Sequence, residues 1–484
     1  MINDDSDSKL IQKCINISCV EKDKVNDHVL TFGWKYRLNS WKDKFRYNFL
    51  NFNSKFEMLP TKIHLYNKVY DTKNEEEKTN FNKKFEKVIM VSYRSKYKPQ
   101  INIKNKKEYT TDCGWGCMIR SSQMILCRGL YKVFKYTLKE KENLTKIVVP
   151  FIMDNNLNII EKEYIGMDSY INKLKEFGKK DIVEIDPPFS IHKICILGEK
   201  FGRTCGEWFS DFHLPKIYDI INTTFNVIPN LAIIHFNSLV ELKTILNRCF
   251  KKDDSQLTNE NNINNNENNI NNNENNINNN ENIINNNENI INNNENNINN
   301  ENNENNGNNI INEKENENQL KIEGKQYIMQ KMGLIFVSNR LGLSNISSEY
   351  FPSIKNALDC KECIGFVGGK RNTNSASYFI GYYDNNLLYL DPHHNNKRIK
   401  QVDDDNFNTY INKTLYKLKF NSLNSAITIG FLFRNLKEFN DLLSLFRTVK
   451  KEKYYCFEYS EEMTKKETKN LNEIYNSLSG GDDF

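Results

Sequence analysis

The chain has 484 residues, with 67 lysines and arginines against 62 acidic residues, so its formal charge is only +5. That balance excludes the basic footprint of a nucleic-acid binder, and no run of about 18 apolar residues suggests a membrane span. Eleven cysteines, an odd number without regular spacing, fit reduced thiols in a cytoplasmic protein better than a disulfide framework.

Residues 1–30 are polar, begin with the acidic run Met1 to Asp7, and are expected to fray. Aromatic residues return with Trp34, Trp41, Phe45, Tyr47 and Phe49, where ordered structure is expected to begin. Phe81, Phe85, Val88 and Ile89 repeat at i, i+4, i+7 and i+8, the stripe of an amphipathic helix leading to Tyr93-Arg94. The pivotal stretch follows: Asp112-Cys113-Gly114-Trp115-Gly116-Cys117. Gly114 and Gly116 let the backbone turn sharply and let a substrate chain approach. Ile119, Leu126, Leu130 and Val133 then share one helical face, which places Cys117 at a helix N-terminus. Amides and dipole at that end favour a thiolate, the reacting form of cysteine. A free cysteine is more often a small buried hydrophobe, so a catalytic reading requires a base.

Two patterned stretches come next, Phe189-Ser190-Ile191-His192 and Gly206-Glu207-Trp208-Phe209. A lone His192 at the head of an apolar segment reads as a cap or a satisfied core group. Leu214, Ile217, Ile220 and Ile221 predict a helix, and Leu231 to Phe236 a buried strand. From about Lys251 to Asn318 the composition collapses to asparagine, with Ile263, Ile270, Ile277, Ile284 and Ile291 at a seven-residue period. One apolar position per heptad does not make a coiled coil, and asparagine is a poor helix former, so the tract reads as a disordered repeat expansion.

Past the tract, Gly333 to Val337, Ile364 to Lys370, Tyr378 to Tyr383 and Leu387 to Leu390 predict strands, the last three antiparallel, with a hairpin turn at Asp384-Asn385-Asn386. The glycines at 365, 368 and 369 sit inside a β pattern with no helix behind them, so they do not make a phosphate loop. Cys360 and Cys363 have no second pair at zinc spacing, and an ordinary loop is the preferred reading. Asp391 and His393 lie two apart on chain that Pro392 biases toward extension, so their side chains share a face. A carboxylate beside an imidazole fixes its tautomer and stabilises the imidazolium formed when the ring takes a thiol proton. Ala426 to Phe433 predicts a strand, and Phe439, Leu442, Leu443 and Phe446 a helix. Beyond Lys450 the chain is charged and expected to be mobile.

In order, the Cys117 stretch, Phe189-Ser190-Ile191-His192, Gly206-Glu207-Trp208, Arg340-Leu341-Gly342-Leu343, Gly368-Gly369-Lys370 with Tyr378-Phe379-Ile380-Gly381, and Leu390-Asp391-Pro392-His393 resemble the autophagy cysteine peptidases. These enzymes process and delipidate a ubiquitin-like modifier. The resemblance implies a papain-like α/β (α+β) fold, an antiparallel sheet packed against helices. It covers roughly residues 60–250 and 325–450; with the composition this gives a peptidase domain in two parts, 31–250 and 325–450, around an insertion at 251–324, with flanks 1–30 and 451–484. It makes Cys117 the nucleophile, His393 the base, Asp391 its orienting partner and Tyr93 an oxyanion donor. Gly114, Trp115 and Trp208 become substrate contacts, with Trp208 and a loop before the Gly-Gly-Lys strand covering the cysteine. No cofactor or metal is implied. The expected partner is the modifier, both as precursor and as lipid conjugate, with transient membrane contact through the lipidated form. Two departures stand out: Asp359 to Cys363 replaces the family's Pro-Gln-Ser segment, and Arg371 to Asn374 is an asparagine-rich extension. Tyr475 and Leu478 sit in an aromatic-x-x-aliphatic pattern that resembles a docking motif for the modifier. The alternatives are a catalytically weak modifier-binding protein and a peptidase for another ubiquitin-like protein.

Overall fold

The computed structural model describes residues 9–15, 19–21, 54–58, 61–138, 143–177, 182–252, 319–322, 325–371, 375–399, 405–411, 413–449 and 453–461. The aromatic cluster from Trp34 to Phe49, the body of the asparagine tract and the Tyr475/Leu478 motif lie outside these residues. The chain divides into two compact units, 1–250 with 330–484, and 251–329. In the second unit, Gln319–Ile322 pairs antiparallel with Lys325–Met329.

The strands that position the site belong to a main sheet, whose central strands are buried, and to a smaller, partly exposed one. Along the chain these are β1 (Lys62–Leu65), β2 (Arg94–Ile101), β3 (Glu108–Thr111), β4 (Leu231–Asn237), β5 (Met332–Asn345), β6 (Cys363–Lys370), β7 (Ala376–Tyr383), β8 (Asn386–Leu390), β9 (Asn396–Lys397), β10 (Tyr416–Lys419) and β11 (Leu423–Phe433). The main sheet runs β10, β8, β7, β6, β11, β5, β4, with Ser54–Lys55 beyond β10 and β1 paired to β7. Every neighbouring pair in that run is antiparallel except β5 with β4. All eight residues of β7 are buried, Ser377 included, as in a strand covered on both faces. A smaller sheet joins β9, β2 and β3.

The long helix α1 (Cys117–Thr137) covers the main sheet through Ile119, Ile125, Leu126, Leu130 and Val133, all at most 1% exposed. Gly129 permits the close approach, since a Cβ there would lie 3.0 Å from Leu334. Two further helices, α2 (Ile191–Gly198) and α3 (His213–Phe225), follow; Ser190 caps α2 by accepting from the Lys193 amide. This is the mixed α/β arrangement expected from the resemblance.

Three expectations need correction. The stripe from Phe81 to Ile89 is helical only over Glu75–Glu86, and the chain past Lys87 runs on toward Tyr93 without regular structure. The first 30 residues are not all frayed: residues 9–15 are helical with Cys14 and Ile15 buried, Lys13 pairs with Glu199 at 2.8 Å, and Cys19–Glu21 pairs with Ile182–Ile185. Past Lys450, Glu458–Ser460 forms a parallel pair with Leu239–Glu241, and Cys456, Phe457 and Tyr459 are buried. In both flanks a few apolar residues bury enough area to offset the ordering of their charged neighbours.

Candidate active site

Cys117 is the first residue of α1, and the turn before it is built around one buried carboxylate. Asp112 Oδ1 accepts from the Arg94 amide at 2.7 Å, and Oδ2 accepts from Arg120 Nε at 2.7 Å. The Asp112 carbonyl accepts from the Trp115 and Gly116 amides at 3.2 and 2.8 Å. A Cβ on Gly116 would stand 2.6 Å from the Asp112 side chain, so only glycine lets the turn close. Gly114, at φ +87°, takes the left-handed conformation that leads into it. The other side of the Arg120 guanidinium meets Asp154 at 2.8 Å, and Arg120 Nη1 donates to Gln123 at 3.0 Å. All three charged side chains of this network are at most 1% exposed.

Strand β8 ends at Leu390 and delivers Asp391-Pro392-His393. Both the His393 amide, at 3.1 Å, and its ring Nδ1 bond to Asp391 Oδ1. The ring is thereby fixed with Nε2 left for Cys117. The Tyr93 amide donates to the Pro392 carbonyl at 2.9 Å, and the Tyr93 ring meets the His393 ring edge-on at 5.3 Å. Tyr93, Cys117 and Ala376 form one buried cluster, with Cys113 and Met118 packed on it.

The electrostatics follow from that packing. Burial on its own would raise the Cys117 thiol, but a hydrogen bond and charge from His393, the Ala376 amide and the Tyr93 hydroxyl together bring it below its ordinary value. Burial would likewise lower His393, yet Asp391 and the facing sulfur push it up to about 9. Burial opposes ionisation of Asp391 too, and His393 and Lys370 hold it far below the usual carboxylate range. The balance favours a thiolate beside an imidazolium, the state of an activated cysteine nucleophile.

Two contributors had no clear sequence signal. Lys370, at the end of β6, reaches Asp391 Oδ2 at 3.2 Å with its side chain 6% exposed. Ala376, at the start of β7, faces the sulfur because β6 and β7 pair in register, Gly369 opposite Ala376. The covering expected from the loop before the Gly-Gly-Lys strand is therefore corrected: the backbone at the sulfur follows that strand. Residues 359–363 lie at the opposite end of the eight-residue β6, where Cys360 bonds Glu362 at 3.2 Å and Asp359 meets His64 at 2.8 Å.

Of the expected substrate contacts, Gly114 is exposed with open space around it, while Trp115 is 5% exposed. The Trp115 indole donates to the Thr111 carbonyl at 3.0 Å and packs on Tyr109, so it braces the turn. Trp208 stands at the surface, 49% exposed. Its loop reaches the same brace, because Gly206, at φ +84°, lies flat against Tyr109 where a Cβ would collide. His192 is structural: its Nε2 bonds the Lys98 carbonyl at 2.8 Å.

A cysteine at a helix N-terminus facing a carboxylate-held histidine is the geometry of a thiol peptidase. The family model for the peptidase C54 catalytic domain matches residues 78–445. The chain belongs to the peptidase C54 family. Its relatives span vertebrates and an amoeba. Cysteine protease ATG4C of Xenopus laevis is 23% identical over 411 residues, covering 78% of this chain and 73% of the relative. The human ATG4C is 22% identical over 423 residues, covering 78% and 74%. Cysteine protease atg4 of Dictyostelium discoideum is 33% identical over a shorter stretch of 109 residues, 22% of this chain and 14% of the relative. This C54 chain is a cysteine peptidase of the autophagy pathway, with the papain-like fold of its family. No helix among the described residues is long and apolar enough to cross a membrane.

Proposed function

We propose that this C54 peptidase is a cytoplasmic enzyme that cleaves after the C-terminal glycine of a ubiquitin-like autophagy modifier. It acts both on the modifier's peptide-extended precursor and on its conjugate with phosphatidylethanolamine. The observation that carries this reading is the buried contact of Cys117 with Tyr93, with the His393 ring edge-on to Tyr93 and bonded to Cys117, and Asp391 behind the imidazole.

The Cys117 thiolate attacks the glycine carbonyl carbon, and the carbonyl electron pair moves onto oxygen. That oxyanion accepts from the Tyr93 hydroxyl and the Cys117 amide, donors whose individual removal costs about 10² to 10³ in rate in comparable sites. His393, protonated and held by Asp391, passes its Nε2 proton to the leaving nitrogen as the C–N bond breaks. The products are a thioester and a free amine, either a short peptide or phosphatidylethanolamine. Water then attacks the thioester while His393 takes its proton, and the thiolate returns. Lys370 keeps Asp391 ionised throughout. Trp208, exposed on a loop braced against the Cys117 turn, forms a gate for a side-chain-free glycine tail, and the Tyr475/Leu478 motif gives the modifier a second hold.

The test is a modifier carrying an electrophile in place of its C-terminal glycine carboxylate. We expect one covalent adduct, located by mass spectrometry on Cys117. An adduct on another cysteine overturns the assignment. Tight capture of the modifier with Cys117 unmodified favours a catalytically weak binding protein, and reaction only with a different ubiquitin-like tail reassigns the substrate.

A further inference from the structure

The hairpin between Tyr93 and Asp112 carries side chains that the reaction does not use. From position 94 to 109 the sequence holds Arg94 and five lysines against one acid, Glu108, in a protein whose overall charge is nearly balanced. Arg94 is fully buried and donates to Thr409 at 2.7 Å. Lys104 is engaged by Glu207 at 2.8 Å and by the Gly202 carbonyl. Lys96, Lys106 and Lys107 are exposed and have no carboxylate partner among the described residues, and Lys98, also exposed, lies within electrostatic reach of the buried Asp186.

Two isoleucines share this tip, Ile101 at 63% and Ile103 at 40% exposure. One exposed isoleucine is ordinary, but two held outward on a hairpin that carries five lysines are not. The holding is done by Asn102, which is buried between them. Its Nδ2 donates to the Cys205 carbonyl at 2.6 Å, and its Oδ1 accepts from the Lys104 and Asn105 amides at 2.9 and 3.1 Å. Lys98, Lys106 and the two isoleucines also line a cavity of about 310 Å³ beside the tip. Exposed apolar residues and exposed lysines on one tip match an anionic bilayer, whose headgroup phosphates attract the lysines while its acyl boundary takes the isoleucines.

We infer that the Ile101–Lys107 tip is a docking surface for anionic phospholipid membrane. Its place in the chain gives the docking a use. The strands of the hairpin leave directly from Tyr93 and enter directly into the Cys117 turn, and Asn102 and Lys104 tie the tip to the loop that carries Trp208. A bilayer engaged there holds the gate near a modifier still anchored in lipid. That use rests on the proposed lipid-release reaction, whereas the surface itself does not.

The experiment is co-sedimentation of the full chain with vesicles of phosphatidylcholine alone and of phosphatidylcholine mixed with phosphatidylserine. It compares wild type with Ile101→Ser/Ile103→Ser and with Lys106→Glu/Lys107→Glu, and cleavage of soluble precursor and of vesicle-anchored modifier is measured in parallel. We expect binding only to the mixed vesicles, weakening as salt rises. At about fivefold per lysine, the lysine variant should bind at least about 25-fold more weakly. Both variants should cleave soluble precursor normally and release anchored modifier slowly. Absent binding, equal binding to both vesicles, or wild-type binding by both variants overturns the inference. So does a raised KM for soluble precursor in the variants, which assigns the tip to the modifier itself. If vesicle binding behaves as expected but the wild type never releases anchored modifier, the docking surface stands and the lipid-release reading fails.

Discussion

Cys117→Ala is expected to lower kcat/KM for a glycine-tailed precursor by about 10⁴-fold or more while leaving the melting temperature within a few degrees of wild type. The size follows from the chemistry: the sulfur that forms the acyl bond is gone, and removing a nucleophile takes away what the surrounding residues were arranged to assist. The stability expectation follows from the location. Cys117 is 3% exposed, but it begins a helix that Arg120 ties to Asp112 in the turn before it. Losing one sulfur atom leaves a small void beside Tyr93 and Ala376, of the kind that costs about 1 kcal/mol. Precursor cleavage assayed together with thermal denaturation checks both halves. A variant that retains a tenth of wild-type activity contradicts the assignment, and one that is inactive only because it has melted does not support it.

The second large effect concerns Arg120, which takes no part in the reaction. Its guanidinium lies between Asp112 and Asp154 with every charged group of the trio out of contact with water. Arg120→Met leaves two carboxylates buried and unopposed, a loss expected to cost about 3 to 5 kcal/mol. Activity should fall with it, because Asp112 also holds the Arg94 amide, next to Tyr93, and the turn that ends at Cys117. Urea denaturation measures the first effect, and kcat at a temperature where the variant remains folded measures the second. A midpoint unchanged from wild type contradicts this role for the trio.

That trio shows where sequence reasoning runs out. Cys117 was legible because glycines bracket the turn and an apolar stripe at helical spacing begins directly after it. Asp391 and His393 were legible because residues two apart on extended chain share a face, and the structure bonds both the amide and the ring of His393 to the same carboxylate oxygen. Arg120 and Asp154 gave no such signal, since a charged residue on a helix or in a loop reads as a solvated one and its buried partner is far away in sequence. Lys370 is hidden for the same reason, as a lysine after two glycines suggests solvent. Ala376 is invisible in any pattern of chemical types, because its amide does the work and only strand register brings that amide to the sulfur. The strand Glu458–Ser460 was missed because its buried aromatics sit within a charged stretch, which masked a period-two pattern three residues long.

The ion pair between Cys117 and His393 is the claim from which the rest follows, and the pH dependence of Cys117 alkylation by iodoacetamide measures it most directly. The ring should hold its proton until the pH approaches about 9, so the sulfur it faces should ionise below the ordinary thiol range. Followed on the Cys117 peptide by mass spectrometry, alkylation in the wild type should therefore already be fast at neutral pH. In His393→Ala the rate should rise only as the pH nears that of an unassisted thiol, about 8.5 or above. If wild type and His393→Ala trace the same curve with an inflection in that range, the imidazole does not activate the sulfur and the account is wrong.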